Sequence, residues 1–216
     1  MTIRVPTPPA KHEPEPNNDT LDAGVLLHRI WHKKFAANTF NPGKGDLTRF
    51  APINTPKGEV IPTLYAGSTQ ECAYHERLFH DVPLEGPLRH FRLNQLTDLM
   101  YGTVVPTRPL TVAKLFRPDL ALWGITREQL VHTDADAYVM TARWAEAIHR
   151  DYPHVEGLVW TSHRCDPDLA FVFFGDRISQ SELAPAGPAR SFATDLALLD
   201  DLRGYAQRAG ILLISS

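Results

Sequence analysis

The sequence predicts an α+β protein built as one compact domain, with a mixed β-sheet core flanked by helices. Two unbroken apolar runs, residues 157–162 and 169–174, are typical of buried strands. Residues 137–150 interleave apolar and polar side chains at helical spacing and so predict a helix. Strands and helices follow one another without a regular βαβ order and without an internal repeat. This mixture is typical of the α+β class.

Length and composition agree with a single domain. The 216 residues are 43% hydrophobic, which suffices for a substantial core. The net charge of −3, from 22 Lys and Arg against 25 Asp and Glu, argues against general binding to nucleic acid or anionic lipid. A local basic pocket is still compatible with it. No apolar run reaches the roughly 18 residues of a membrane span and no signal peptide is recognised, so we expect a cytoplasmic protein without membrane contact. Cys72 and Cys165 are then expected to be reduced thiols.

The first part of the chain predicts an arm followed by a strand. Five prolines within residues 1–20 predict a disordered arm, which leaves residues 21–216 for the domain. Alternating apolar residues favour a strand over 25–32 in preference to a helical turn. This strand places the charged side chain of Arg29 among apolar neighbours.

The stretch 61–76 predicts a short strand, a Gly-Ser turn and a helix. Ser68 is followed three residues later by Glu71, which is the spacing of a capping box at a helix start. Three residues of this helix share one side, at i, i+4 and i+7: Cys72, Glu76 and Phe79. A carboxylate therefore lies on an apolar face. Either Glu76 turns to water, or it faces a pocket that holds a cationic or hydrogen-bonding partner.

Turn chemistry and capping residues predict the other elements. Residues 38–48 form a loop that leads into Arg49 and Phe50 at the start of a short strand. Thr126 with Gln129 predicts a second capping box, and Asp136 caps the helix over 137–150. The further predicted segments are a strand over 88–96, mixed structure over 107–123, a helix from 126 to 131, a linker over 184–189, a terminal helix over 192–209 and an edge strand over 211–214.

Several familiar chemistries lack their motifs. No HExxH or CxxC is present, so the ten histidines are better interpreted as structural or surface residues than as metal ligands. No G-x-S-x-G supports a serine hydrolase, and 43–45 has neither the Walker nor the dinucleotide spacing. We expect neither a metal nor a prosthetic group.

One set of polar residues has no obvious place in a core: Arg29, Arg49, Tyr65, Glu76 and Ser162. Each by itself has an ordinary structural interpretation. Together they are what a site needs to hold a dinucleotide and cleave a ribosyl bond. Guanidinium forks neutralise a pyrophosphate, an aromatic ring stacks on a base, and a carboxylate stabilises an oxocarbenium-like sugar.

The order of these residues and their neighbours resembles the RES-domain family, which is named after an Arg, a Glu and a Ser. The family includes the toxins of bacterial RES-Xre toxin-antitoxin pairs. The resemblance covers residues 24–178 and depends on the ordered set 27–30, 48–50, 64–66, Glu76, 156–162 and 171–174. The chain departs from the family pattern at His28, where an aromatic residue is common. It departs again over residues 48–51, which read Thr-Arg-Phe-Ala where Gly-Arg-Phe-Asn is common.

The resemblance implies an ADP-ribosyltransferase-like fold and NAD as the substrate, cleaved at the nicotinamide-ribose bond by hydrolysis or phosphorolysis. It implies that Arg29 and Arg49 bind the substrate phosphates or an attacking inorganic phosphate. Tyr65 then packs against nicotinamide or ribose. Glu76 contacts the ribose hydroxyls and the developing positive charge, and Ser162 hydrogen-bonds nearby. Arg29, Glu76 and Ser162 are thus the expected catalytic residues.

The resemblance also implies a partner, a cognate Xre-type antitoxin that blocks the cleft. A homo-oligomer is left open, and no direct nucleic-acid binding is expected. Two other functions compete with NAD degradation: transfer of ADP-ribose to a protein or nucleic acid, and a catalytically degenerate binding module.

Overall fold

A nine-stranded sheet is the centre of the fold. The computed structural model describes residues 4–11, 14–83, 86 and 89–215. Its strands are β1 Asn18–Leu21, β2 Leu27–His32, β3 Ile53–Asn54, β4 Val60–Ile61, β5 Thr63–Gly67, β6 His90–Arg92, β7 Leu99–Pro106, β8 Leu110–Lys114, β9 Gly157–Thr161, β10 Leu169–Phe174, β11 Leu183–Pro185, β12 Arg190–Ser191 and β13 Leu212–Ile214. Its α-helices are α1 Gln70–Arg77, α2 Arg117–Ala121, α3 Arg127–Leu130, α4 Tyr138–Asp151 and α5 Leu196–Arg208.

The sheet is mixed. Its order is β1-β8-β9-β10-β5-β2-β7-β11, and β12 also pairs with β7. The β8–β9 pair is parallel, and the other pairs of this sheet are antiparallel. Two small sheets, β3–β4 and the parallel pair β6–β13, lie apart from it. The predicted α+β class with a mixed sheet core is confirmed.

The two faces of the sheet carry different cores. On the face that we call the helical face, Ile30 packs with Ala73 and Tyr74 of α1, while Trp160 packs with Ile148 of α4. The opposite face carries a second set: Leu27, Trp31, Leu64, Ala66, Val159 and Phe171. Because successive residues of a strand point to alternate faces, this division decides which side chains can meet.

Several predicted elements are confirmed. Strands occur where the sequence predicts them, as β2, β5, β9, β10 and β13. The capping box of Thr126 and Gln129 opens α3, and the helices predicted over 137–150 and 192–209 are α4 and α5.

The predicted cap of α1 is wrong by one residue. Thr69 is the cap, since its Oγ1 accepts a hydrogen bond from the Cys72 backbone N–H at 3.0 Å. The Ser68 hydroxyl instead accepts from the Leu169 N–H at 2.9 Å, where β5 meets β10. The Ser68 hydroxyl therefore joins β5 to β10, and the cap of α1 falls to Thr69. Asp136 is likewise not a cap: it lies in a 3₁₀ turn, and Ala137 occupies the cap position of α4.

Two other segments differ from the predictions, and a third, 107–123, is mixed as predicted. Arg49 and Phe50 lie in a turn between Thr48 and Ala51 and not in a strand. The strand predicted over 88–96 is only β6, followed by a 3₁₀ turn over Leu93–Leu96, and residue 88 lies outside the described residues. The segment 107–123 contains β8 and α2.

The sequence reasoning missed β7, the longest of the strands in the described residues. Gly102 interrupts the apolar pattern of this strand, and a glycine within a strand weakens the sequence signal. A glycine is required at this position because a Cβ atom there would lie 2.9 Å from Cη2 of Trp31.

The N-terminal arm is ordered along the domain where the structure describes it. Val5 is buried in the core below α4, and β1 pairs with β8. The Pro6 and Pro14 carbonyls accept hydrogen bonds from the Trp144 and Trp123 indoles at 2.7 and 2.8 Å. The expected disorder is therefore wrong for residues 4–11 and 14–20; residues 1–3, 12 and 13 lie outside the described residues. Prolines lack an N–H, but their carbonyls can still bind tryptophan side chains.

No helix within the described ranges is long and apolar enough to cross a membrane.

The buried position of Val5 predicts that the arm contributes to stability. Val5→Ala should lower the free energy of unfolding by about 1–2 kcal/mol, because a core side chain loses two methyl groups. This corresponds to a melting temperature lower by about 2–8 °C. Thr7→Ala, at an exposed position of the same arm, is the matched control and should change stability by less than about 0.5 kcal/mol. Equal melting temperatures for the two variants would mean that the arm does not pack in solution.

Candidate functional site

Glu76 is positioned by close packing of α1 on the sheet. A Cβ atom at Gly67 would lie 2.9 Å from Cys72 Cβ and 3.0 Å from Ala73 N, so only glycine allows this approach. The Thr69 hydroxyl, which caps α1, donates to Asp168 Oδ2 at 2.5 Å in the loop between β9 and β10. This contact ties the start of α1 to that loop. As a result, Glu76 lies beside the end of β9.

The carboxylate of Glu76 has a buried partner. Ser162 follows β9, is fully buried, and donates from Oγ to Glu76 Oε1 at 2.8 Å. The Ser162 backbone N–H donates to the Asp168 carbonyl at 2.8 Å, which fixes the serine at the mouth of the loop. The polar residue predicted at the end of this strand and the carboxylate predicted on the helix therefore meet directly.

Two opposing effects set the ionisation of Glu76. Burial raises the pKa of its carboxyl above the ordinary value, because a desolvated carboxylate is disfavoured. The charge of Arg49, the hydrogen bond from Ser162 and the charge of Arg164 lower the pKa in turn, but they do not offset the burial. Glu76 is therefore a carboxyl group that takes up a proton more readily than an exposed glutamate does.

Tyr65 lies on the same face of the sheet and holds the turn that carries Arg49. Its hydroxyl oxygen accepts from the Phe50 backbone N–H at 2.9 Å and from the Thr48 hydroxyl at 3.0 Å. Its ring makes an edge contact with Trp160, with the centroids 6.2 Å apart. Burial raises the pKa of Tyr65, so its hydroxyl stays protonated. Tyr65 thus positions the turn that carries Arg49, and its ring is a further group that can contact a ligand.

Arg49 is held against the start of α4. Its Nη1 donates to the carbonyl and to the hydroxyl of Thr133, both at 3.1 Å, and its guanidinium lies 5.4 Å from the Tyr138 ring centroid. The Arg49 carbonyl accepts from the buried Thr141 hydroxyl. The side chain is half-buried, and its charge acts on Glu76. Arg49 therefore belongs to the site.

Arg29 lies on the other face of the sheet. It alternates with Ile30, which contacts α1, and it pairs with Gly102, which faces Trp31. Its guanidinium lies 5.8 Å from the Trp31 ring centroid, and its Nη1 donates to the carbonyls of Ala37 and Thr39. The structure thus brings four of the five predicted residues together. Arg29 is the exception, because strand alternation turns it away from Glu76.

Sequence reasoning missed Arg164. It follows Ser162 by two residues, and its Nη1 donates to the Phe79 carbonyl at 3.3 Å and to the Val82 carbonyl. These carbonyls lie just after α1, where a cation is favourable. The charge of Arg164 also acts on Glu76. A basic residue beside Ser162 in a loop between two buried strands was the available signal.

Two histidines in ring contact border this basic region. The rings of His132 and His163 lie 3.8 Å apart, centroid to centroid. Burial lowers the pKa of His132 to about 4, and burial also lowers the pKa of His163. Both are therefore neutral at pH 7. His132 Nε2 and His163 Nδ1 have no hydrogen-bond partner among the described residues.

The two cysteine thiols offer no activated nucleophile. Cys72 and Cys165 are free, as predicted, and burial raises the pKa of both. Neither is activated as a nucleophile. Among the described residues, no group of three or more His, Cys, Asp or Glu is placed to hold a metal ion.

These features define an α+β domain with a hydrogen-bonded carboxyl-serine pair next to a cluster of arginines. The chain belongs to the RES-domain family, since its sequence matches the RES domain over residues 26–195. It is also similar to one chain of the crystal structure of the M. tuberculosis MbcT-MbcA toxin-antitoxin complex. The TM-score is 0.56 at 15% sequence identity, over 86% of this chain and 92% of that chain. This likeness agrees with the predicted fold class. No curated protein matches the sequence.

The raised pKa of Glu76 predicts that this carboxylate destabilises the folded protein at neutral pH. Glu76→Gln keeps an acceptor for the Ser162 hydroxyl but removes the charge, so it should raise the melting temperature at pH 7. Each kcal/mol gained in the free energy of unfolding should raise the melting temperature by about 2–4 °C.

The sign follows from proton linkage. A carboxyl whose folded-state pKa is raised costs stability as pH rises from the unfolded-state pKa through the folded one, so the gain should shrink at about pH 4. A lower melting temperature of the variant at pH 7 would mean that the two arginines favour the charged form more than burial disfavours it.

The hydrogen bonds of Tyr65 predict a structural loss in Tyr65→Phe. The Phe50 N–H loses its acceptor and the Thr48 hydroxyl keeps only the Ala51 carbonyl, which should cost about 1–3 kcal/mol in the free energy of unfolding. Tyr138→Phe is the matched control, because the Tyr138 hydroxyl makes no hydrogen bond with a described residue. Urea denaturation of both variants checks this, and equal midpoints would contradict the positioning role.

Proposed function

We propose that this RES-domain protein is the toxin of a toxin-antitoxin pair and that it cleaves NAD at the nicotinamide-ribose bond, by hydrolysis or phosphorolysis. The observation that carries the proposal is the 2.8 Å hydrogen bond from Ser162 to the half-buried Glu76, on the face that also carries Tyr65 and Arg49. Family membership and the toxin-antitoxin complex of the structural neighbour support it.

The chemistry of this bond suits a site with a single carboxylate. When the C–N bond breaks, its electron pair leaves with the pyridinium nitrogen and yields neutral nicotinamide, so no acid is needed to protonate the leaving group. Positive charge then develops on the ribose, as in other glycosyl transfers. The Glu76 carboxylate stabilises that charge in a pocket where water screens it poorly.

Glu76 also serves the acceptor. An oxygen of water or inorganic phosphate bonds to the ribose carbon that nicotinamide has left. When water attacks, its proton passes to the Glu76 carboxylate, for which a raised pKa is favourable. The hydrogen bond from Ser162 keeps one carboxylate oxygen in place, and the other oxygen is available to the substrate.

Loss of NAD is harmful to any cell that makes the enzyme, so the proposed function requires an inhibitor. A cognate Xre-type antitoxin in the cytoplasm fits this need, with NAD as the substrate and no prosthetic group.

The central prediction is that Glu76→Gln lowers kcat/KM for nicotinamide release from NAD at least about a hundredfold while the fold persists. Glu59→Gln, the same change in an exposed loop, should leave the rate unchanged. The rate of the wild-type protein should fall as pH drops through the pKa of Glu76, which lies above the ordinary range of glutamate. Free nicotinamide is followed by chromatography, with and without phosphate.

Two outcomes would overturn the proposal. Transfer of labelled ADP-ribose to a protein, without free release in either buffer, would favour an ADP-ribosyltransferase. Growth arrest that is the same for the wild type and Glu76→Gln would favour a degenerate binding module.

A further inference from the structure

The arginines of the described chain fall into two groups, according to what holds the guanidinium group. Arg117, Arg150, Arg190 and Arg203 pair with carboxylates at 2.7–3.2 Å. Arg29, Arg89 and Arg177 donate to backbone carbonyls in other parts of the protein. Arg49, Arg127 and Arg164 are held by uncharged oxygens instead and form no ion pair with a described carboxylate. Arg127 Nη2 donates to the Thr161 carbonyl at 3.1 Å, and the other two contact Thr133 and the segment after α1. Their charge is therefore left for an incoming anion.

Hydrogen bonds place the three arginines on segments that meet at His163. Arg127 binds the Thr161 carbonyl, and Arg164 directly follows His163 in the chain. Arg49 binds Thr133, the neighbour of His132, whose ring lies 3.8 Å from that of His163. Burial lowers the pKa of His163, and the charges of Arg49, Arg164 and Arg127 lower it further. Asp134 is the acidic residue that opposes them there, and it is exposed. Three cations thus meet beside the histidine that follows Ser162. This excess of positive charge is local, since the whole chain has a net charge of −3.

Because Arg29 lies on the opposite face of the sheet, another residue has to supply the charge that binds the substrate diphosphate. The substrate diphosphate needs cationic groups on the helical face, and Arg29 lies on the opposite face under Trp31. Arg164 is half-buried on the correct side, two residues after Ser162. Its Nη1 is fixed by two carbonyl oxygens, so the side chain loses little freedom when its remaining N–H groups bind a ligand.

We propose that Arg164 is a substrate-binding residue that, together with Arg49, receives the diphosphate of the dinucleotide, with Arg127 at the edge of the same subsite. This inference rests on the proposed function. His132 Nε2 and His163 Nδ1, which have no partner among the described residues, add two neutral groups that can hydrogen-bond phosphate oxygens. The subsite thereby selects a ligand that carries a diphosphate over one that carries only nicotinamide and ribose.

Calorimetric binding of ADP-ribose and of nicotinamide riboside tests this assignment. Arg164→Gln should weaken ADP-ribose binding about tenfold or more, because a charged hydrogen-bond donor is lost, while nicotinamide riboside binding changes less than about twofold. The ADP-ribose affinity of Arg164→Lys should lie between those of Arg164→Gln and the wild type. Arg203→Gln, which removes one positive charge from α5, is the matched control and should bind both ligands as the wild type does.

A measurement on the wild-type protein covers the case in which Arg164→Gln does not fold. The guanidinium N–H signals of Arg164 should shift in NMR spectra on addition of ADP-ribose and not on addition of nicotinamide riboside. Unchanged ADP-ribose affinity of a folded Arg164→Gln variant, or no shift of these signals, would overturn the inference while the proposed function stands. Failure of the wild type to bind ADP-ribose or release nicotinamide would overturn the proposed function itself.

Discussion

The hydrogen bond from Ser162 to Glu76 is the interaction on which the arrangement of the site depends. A carboxylate on an apolar helical face costs free energy unless its environment supplies donors and cations. Ser162 supplies one donor at 2.8 Å, and Arg49 and Arg164 supply charge. The burial still prevails and raises the pKa. A carboxyl group with a raised pKa lowers the stability of the folded protein at neutral pH but can accept a proton during a reaction. This combination is typical of functional sites.

The elements around this pair serve to hold it. Gly67 lets α1 approach β5, and Thr69 both caps that helix and binds Asp168 in the loop that presents Ser162. The Tyr65 hydroxyl fixes the turn that carries Arg49 by accepting a hydrogen bond from the Phe50 N–H. Thr141 of α4 fixes the same turn by donating a hydrogen bond to the Arg49 carbonyl. Strand, helix and loop therefore constrain each other across three distant parts of the chain.

The N-terminal arm shows a limit of reasoning from composition. A proline-rich polar segment cannot form regular structure over its whole length, which is the basis for expecting disorder. The folded domain nevertheless offers partners that the arm sequence does not reveal. The Trp144 and Trp123 indoles bind carbonyls of the arm, and a core site takes up Val5. Order in this arm is therefore a property of the surface to which it binds.

The sequence by itself determined the α+β class, the strands β2, β5, β9 and β10, the helix that carries Glu76, and the pairing of a carboxyl with a cationic and hydroxyl-bearing pocket. These depend on periodicity and turn chemistry, which are local, and on the ordered set of residues. Only the tertiary structure decided which face each residue takes. The pairing of β2 with β5 and β7 places Arg29 on the face opposite α1. The packing of the β9–β10 loop against the segment after α1 brings Arg164 to the Phe79 carbonyl, where its charge acts on Glu76. Both faces of this sheet carry buried cores, so the apolar pattern of a strand does not reveal which of its faces meets α1.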